Sequence, residues 1–169
     1  MNFPRILLIC LATKLIMMNE VYSVDFKNKA SLWSAIEMKI GSALDKTADY
    51  VKSVIDGFIR EYYHDYPDPK QYERTWQFLN SCVKSQVLKT STGYEVEIYI
   101  DTDSLNYKDA TGAEVATWAN KGLHGSKELG SGESKFWDQS MEILHFALLE
   151  KFKEYASRRN LKVKWGNVS

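Results

Sequence analysis

The chain has 169 residues, which is enough for one domain and too few for two of ordinary size. Basic and acidic residues number 22 each, so the formal net charge is zero, whereas a dedicated nucleic-acid-binding protein usually carries a basic excess. The composition is 44% apolar and includes ten tyrosines and five tryptophans, which predicts a sizeable core and a large contact surface.

The first residues form an apolar run at positions 6–12 that resembles the hydrophobic region of a signal peptide. Lys14 interrupts this pattern, and the run is too short to span a bilayer. We therefore expect residues 1–17 to be an upstream extension, with the functional chain starting at Met17 or Met18 and residues 18–169 forming a single α+β domain.

One long amphipathic helix is predicted from about Ser31 to Tyr63, where apolar residues recur every three or four positions. We expect a bend or break at Gly41-Ser42, because glycine and serine pairs are common sites of kinks. Pro67 and Pro69 end the pattern, and residues 71–80 predict a short second helix.

A β-hairpin over about residues 83–100 is the clearest extended structure in the sequence. Val83–Leu88 and Tyr94–Ile100 flank a turn at Thr90–Gly93, and the second strand alternates apolar with polar residues, which predicts one solvated face. Residues 21–26 and 161–165 predict further short strands at the edges of the sheet.

The C-terminal half predicts a short helix, a glycine-rich loop and a long helix. Thr111–Glu114 has the capping-box pattern and opens a helix through Trp118. Residues 122–132 hold four glycines and predict a loop, after which Ser134 caps a last helix to about Arg159. One apolar stripe of this helix predicts core residues, and a second group widens it beyond one face: Trp137, Met141, Leu144, Leu148, Phe152 and Tyr155, then Ile143, Phe146 and Leu149. Such a helix is either central or shared with a partner.

No group of residues has the pattern of a catalytic, cofactor-binding or metal-binding site. Asp101 and Asp103 resemble the start of a calcium loop but lack its glycine and its final glutamate, so we interpret them as turn residues. The histidines and cysteines share no metal-ligand or redox spacing: His64, His124, His145, Cys10 and Cys82. We therefore expect no enzymatic activity, no cofactor and no metal, with both cysteines reduced.

Arg74 and a cluster of basic residues near the C-terminus are interpreted as stabilising the fold rather than binding a ligand. Arg74, beside Thr75, is expected to secure the junction after the proline-containing break. The basic residues near the C-terminus are expected to complement the end of the last helix: Arg158, Arg159, Lys162 and Lys164.

The segment after the long helix resembles a family of small phage structural proteins. Pro69-Lys-Gln-Tyr-Glu-Arg-Thr-Trp-Gln-Phe-Leu-Asn-Ser81 is similar to the Pro-x-x-Tyr-x-Arg-Thr-x-x-Leu-x-x-Ser signature of tail components and tail-completion proteins of long-tailed phages and prophages of Gram-positive bacteria. The order of the surrounding features agrees: a long helix, the hairpin, a glycine-rich segment, and Phe136-Trp137 opening the final helix. The resemblance covers about residues 18–164.

The resemblance implies a non-enzymatic virion protein, assembled in the host cytoplasm, that joins the head connector to the tail tube. It implies a homo-oligomeric ring whose partners are other phage neck and tail proteins, with nucleic acid contacted only incidentally and no membrane. The wide face of the last helix and a tyrosine cluster are the expected halves of the ring contact; the cluster comprises Tyr62, Tyr63, Tyr66 and Tyr72.

Two other classes of function remain open at this stage. If residues 1–23 are a signal peptide, the protein is a secreted or surface-attached binding protein. A metal-dependent hydrolase that uses Asp101, Asp103, Glu114 and a histidine is the third class, supported only by acidic residues in loops.

Overall fold

The computed structural model describes residues 5–11, 29–65, 76–91, 93–121, 123–124, 127–128 and 135–161. Three α-helices and six short strands occupy these ranges, with one 3-10 turn at Phe78–Asn80. The helices are α1 (Lys29–Asp65), α2 (Gly112–Asn120) and α3 (Phe136–Ser157). The strands are β1 (Arg5–Leu11), β2 (Cys82–Lys84), β3 (Leu88–Lys89), β4 (Gly93–Ile100), β5 (Leu123–His124) and β6 (Lys127–Glu128). The predicted α+β class is confirmed.

The main sheet is antiparallel and is built around β4. β1 pairs along one edge of β4, with Arg5 opposite Tyr99, while β2 and β3 share the other edge, with Cys82 opposite Ile100. The predicted hairpin is therefore present. Its first strand is interrupted between Lys84 and Leu88, where the Ser85 hydroxyl accepts a hydrogen bond from the Glu97 N–H at 2.9 Å.

The alternation in β4 places its apolar residues in the core. Val96, Ile98 and Ile100 are buried, whereas Glu95 and Glu97 stay partly exposed, as predicted for a strand with one solvated face. The buried face packs against α1, which in turn packs against α3. The result is one core that extends from Leu8 in β1 to Leu161 after α3.

Helix α1 is longer than predicted and continues through Gly41-Ser42 without the expected break. Gly41 faces the ring of Tyr94, and a Cβ atom built on it would lie 3.4 Å from Tyr94 Cε1. The glycine therefore permits close packing of the helix on the sheet rather than ending it. Most of the predicted apolar stripe is buried: Ile40, Ala43, Leu44, Ala48, Val51 and Ile55. Near the end of the helix the stripe differs from the prediction, because Ile59 is buried whereas the predicted Phe58 is half-buried.

The predicted helix over residues 71–80 is wrong in its second half. Trp76 has a φ of 56°, in the left-handed region that an α-helix cannot use, and only the 3-10 turn Phe78–Asn80 follows. Residues 71–75 lie outside the described part of the chain. The turn places Phe78 in the core, while the Gln77 side chain bonds both backbone groups of Asn106, and these contacts take the place of helical ones.

Strand β1 is the longest described element that the sequence did not predict. Its seven residues pair with β4 from Arg5 opposite Tyr99 to Leu11 opposite Gly93, in the segment that we interpreted as part of an upstream extension or a signal peptide. The expected start at Met17 or Met18 stays a prediction, since the pairing does not determine where the functional chain begins. The predicted strand at residues 21–26 lies outside the described residues, as does all but Leu161 of the predicted strand at 161–165.

The two C-terminal helices follow the predictions, whereas part of the predicted glycine-rich loop forms strands. Thr111 Oγ1 accepts from the Glu114 N–H at 3.2 Å, and Glu114 Oε2 accepts from the Thr111 N–H at 2.8 Å, so the capping box is confirmed. Within the predicted glycine-rich loop, β5 and β6 form a two-stranded ribbon. Lys135 is the residue that precedes α3, whereas Ser134, the predicted cap, lies outside the described residues.

Candidate interaction surface

Helix α3 presents apolar side chains on two opposite faces. On the inner face Trp137, Leu144 and Phe152 are at most 8% exposed and belong to the core. On the outer face Phe146 is 74% exposed, Leu149 48% and Ile143 43%. The sequence predicted both groups, and the structure assigns the second one to the surface.

The outer face is a continuous stripe because its residues recur at helical spacing. Ile143, Phe146 and Leu149 are three residues apart, so they lie side by side along the helix. The His145 ring stands edge-on to Phe146, with ring centroids 5.2 Å apart. We call this surface, with its charged neighbours Glu142 and Lys153, the outer face of α3.

The tyrosine cluster, expected as the second contact surface, is in part used inside the fold. Tyr62 and Tyr63 are half-buried, with ring centroids 6.3 Å and 6.5 Å from the buried Phe78. Tyr63 also lies 5.1 Å from the half-exposed ring of Trp76. These two tyrosines help to secure the junction between α1 and the 3-10 turn, and the expected role of the cluster in a ring contact stays a prediction. Tyr66 and Tyr72 lie outside the described residues, together with Arg74 and Thr75.

Two of the acidic residues considered for a metal or hydrolase site, Asp101 and Glu114, have structural contacts. Asp101 Oδ1 accepts from the Ser104 N–H at 3.3 Å, and the Ser104 hydroxyl donates to the Asp101 carbonyl at 3.0 Å, which is a turn closed by its own side chains. Glu114 belongs to the capping box, where the backbone N–H of Thr111 lowers the pKa of its carboxyl group. Across the described ranges, no three residues of the metal-binding types come together.

Cys82 is buried in the core, and burial raises the pKa of its thiol to about 12. A thiol with that pKa is protonated at neutral pH, and the thiolate is the reactive form of cysteine. Cys82 therefore acts as a core residue and not as a nucleophile. Cys10 lies in β1, and its backbone pairs opposite Tyr94.

The basic residues at the end of α3 bind locally, as predicted. Arg159 donates to the Tyr155 carbonyl and to the Ser42 hydroxyl, both at 2.9 Å, and so ties the last turn of α3 to α1. Arg158 bonds Glu154 one turn earlier. Lys162 and Lys164 lie outside the described residues.

An ion-pair network between β2 and α1 was not predicted. Lys84 Nζ lies 2.7 Å from Asp45 Oδ1 and also bonds Asp49, which Lys46 contacts at 2.8 Å. The Lys84 side chain is only 19% exposed. Residues this far apart in sequence carry no local signal of their contact, so only the packing of α1 on the sheet reveals it.

These features define an α+β protein that exposes an apolar helix face in its described ranges. The chain belongs to the YomN family, whose model matches residues 28–158. The family name is of a prophage type, so the protein is phage-related. No curated protein matches the chain, and no solved structure matches it. The match begins after β1 and includes all three helices and strands β2 to β6. No helix in the described ranges has the length and hydropathy to cross a membrane.

Proposed function

We propose that the protein is a structural component of a phage particle, a tail-completion subunit in the neck that joins the head connector to the tail tube. It acts without catalysis, cofactor or metal, as one copy in a homo-oligomeric ring within the virion. Its assembly takes place in the host cytoplasm, and its partners are other neck and tail proteins.

Membership of a phage-related family is the observation that carries this proposal. The resemblance of residues 69–81 to the tail-completion signature supports a position in the neck. The outer face of α3 offers a surface of the kind that protein partners cover, since an exposed phenylalanine flanked by aliphatic residues supplies contact area. A formal net charge of zero also suits a protein that contacts proteins.

Deletion of the gene from an inducible prophage, followed by electron microscopy of the lysate, tests the proposal. Heads and tails assemble separately, and the proposed subunit acts only when they join. Without it we therefore expect filled heads and separate, complete tails. Expression of the wild-type chain from a second locus is the control and must restore joined particles. Normal infectious particles from the deletion strain would contradict the proposal, and so would empty heads or absent tails.

A further inference from the structure

The outer face of α3 carries Phe146, the most exposed large hydrophobic side chain in the described ranges, and nothing else in the described chain covers it. We propose that two copies of the free protein pair through this face, with their α3 helices antiparallel about a two-fold axis. The pairing does not rest on the proposed phage function, because it follows from the order of side chains along one helix.

The side chains in the middle of the outer face have the spacing of a coiled-coil seam. Gln139, Glu142, Phe146, Leu149 and Lys153 are separated by three, four, three and four residues. This is the spacing of the a and d positions of a heptad repeat, which lie on one line along a helix. All except the half-buried Lys153 are exposed in the single chain, so the seam is available to a second helix.

The order of charges along the seam selects antiparallel self-pairing. When the centres of two such helices coincide in antiparallel orientation, Phe146 of each copy meets Leu149 of the other. The same register sets Glu142 of each copy opposite Lys153 of the other, at both ends of the apolar centre. A parallel pair would instead set Glu142 against Glu142 and Lys153 against Lys153, where like charges repel.

The contact of Lys153 within its own helix is compatible with this arrangement. Lys153 Nζ lies 2.6 Å from Glu150 Oε1, and the Glu150 side chain is 71% exposed. An ammonium group has three donors, so Glu142 of the second copy adds an acceptor without displacing Glu150. Ile143, beside the seam, extends the apolar area that the second helix covers.

The size of the outer face predicts a weak dimer. A stable interface covers about 800 Å² per partner, and one exposed helix face supplies only part of that area. We therefore expect a dissociation constant on the order of 100 µM, which is weak enough for a larger assembly to displace the second copy.

Sedimentation equilibrium of the full chain, from about 10 µM to 1 mM, measures this association directly. We expect Phe146→Ala to weaken the association about tenfold or more, because the two-fold axis repeats the Phe146–Leu149 contact and the variant removes both copies of it. Met38→Ala is the matched control, since Met38 is 67% exposed on α1, away from the seam, and its loss should leave the dissociation constant unchanged.

A charge exchange at the ends of the seam tests the orientation. Glu142→Lys alone and Lys153→Glu alone each set like charges opposite each other at both ends, so we expect each to weaken association about fivefold. The double variant restores opposite charges only if the helices are antiparallel copies of each other, and it should return to within about twofold of wild type. Circular dichroism at each step confirms that Lys153→Glu, which also loses the Glu150 contact, remains folded.

Three outcomes overturn the proposal. A wild-type chain that stays monomeric up to the highest concentration has no such pairing. A dimer that Phe146→Ala leaves intact uses another surface. A double charge variant that remains as weak as the single variants excludes the antiparallel register.

Discussion

At the scale of single residues, Gly112, the first residue of α2, lies where a larger side chain has no room. A Cβ atom on this residue would lie 2.1 Å from the Thr102 carbonyl oxygen and 2.8 Å from Leu105 Cβ. Both neighbours belong to the turn after β4, so they cannot move without shifting that backbone. The glycine thus fixes how closely α2 approaches the sheet.

We expect Gly112→Ala to lower the free energy of unfolding by about 2 kcal/mol or more, because overpacking a rigid contact strains the backbone. Urea denaturation monitored by circular dichroism measures the change. Gly57→Ala is the control: nothing lies within 4 Å of its added Cβ, in the interior of α1. That variant should stabilise the protein by about 0.5–1 kcal/mol, since alanine favours a helix over glycine. Equal effects of the two variants would contradict this interpretation.

Lys84 gives the protein a defined pH dependence through its bonds to Asp45 and Asp49. Burial by itself disfavours both charged forms, but the hydrogen bonds outweigh it, so the pKa of Lys84 is raised and the pKa of Asp49 is lowered. The lowered carboxyl pKa contributes stability above its unfolded value of about 3.9, and this stability is lost as the pH falls further. The raised lysine pKa contributes stability below about pH 10.4, which is lost as the pH rises through the folded value.

Lys84→Met should therefore lower the free energy of unfolding by about 1 kcal/mol at pH 7. The effect is small because the partly exposed carboxylates of Asp45 and Asp49 can be hydrated once the lysine is gone. The difference from wild type should shrink as the pH falls below the ordinary carboxyl pKa of about 3.9, and again as it rises above the ordinary lysine pKa of about 10.4, because one partner then loses its charge. Denaturation midpoints measured across this pH range give the result. Lys121→Met, at an exposed lysine after α2, is the control and should show no such profile. A constant difference between Lys84→Met and wild type at every pH would contradict the network.

At the scale of elements, the added strand β1 makes the largest difference between expectation and structure. Leu8 is 7% exposed and joins the core beside β4, whereas Arg5 is exposed and lies 3.4 Å from Glu97 on the surface. The strand therefore contributes to stability through the buried side chain of Leu8, the partly buried side chain of Ile6 and its backbone pairing with β4.

In the full chain, Leu8→Ala should lower the free energy of unfolding by about 2–3 kcal/mol, through lost burial and the cavity that remains. Arg5→Ala, in the same strand, should cost about 0.5 kcal/mol, since an exposed ion pair contributes little. Urea denaturation of both variants separates the two effects. If Leu8→Ala unfolds at the same urea concentration as wild type, β1 contributes no packing to the folded protein in solution.

The elements that the sequence predicted well are those with strong local signals. Helix α1 has an apolar stripe many turns long, and α2 has a capping box. In β4, buried and partly exposed residues alternate from Val96 to Ile100. The 3-10 turn was predicted as a helix because its aromatic residues have helical spacing. The positive φ of Trp76 and the insertion of Phe78 between Tyr62 and Phe136 depend on tertiary contacts instead.

At the scale of the whole molecule, the described elements cover α3 on one side only. α1 and α2 contact its inner face, so its outer face is available for a neighbour. The proposed dimer and the proposed ring are alternative ways to cover it. A weak dimer keeps the apolar stripe from water in the free protein, and stronger contacts in the particle can replace it. The two proposals are tested separately, the dimer by sedimentation and the neck function by the morphology of the lysate.

The sequence by itself determined the α+β class, the three helices, the hairpin and the two-faced character of α3, because each depends on periodicity or on a local cap. Tertiary structure alone decided which strand completes the sheet, where Lys84 finds its carboxylates and why α1 continues through Gly41. These features join residues that are distant along the chain, as with Arg5 and Tyr99, and a one-dimensional pattern does not encode such pairs. The same reason separates the two apolar groups of α3: the sequence gives their spacing, and only the packing of α1 determines which group remains on the surface.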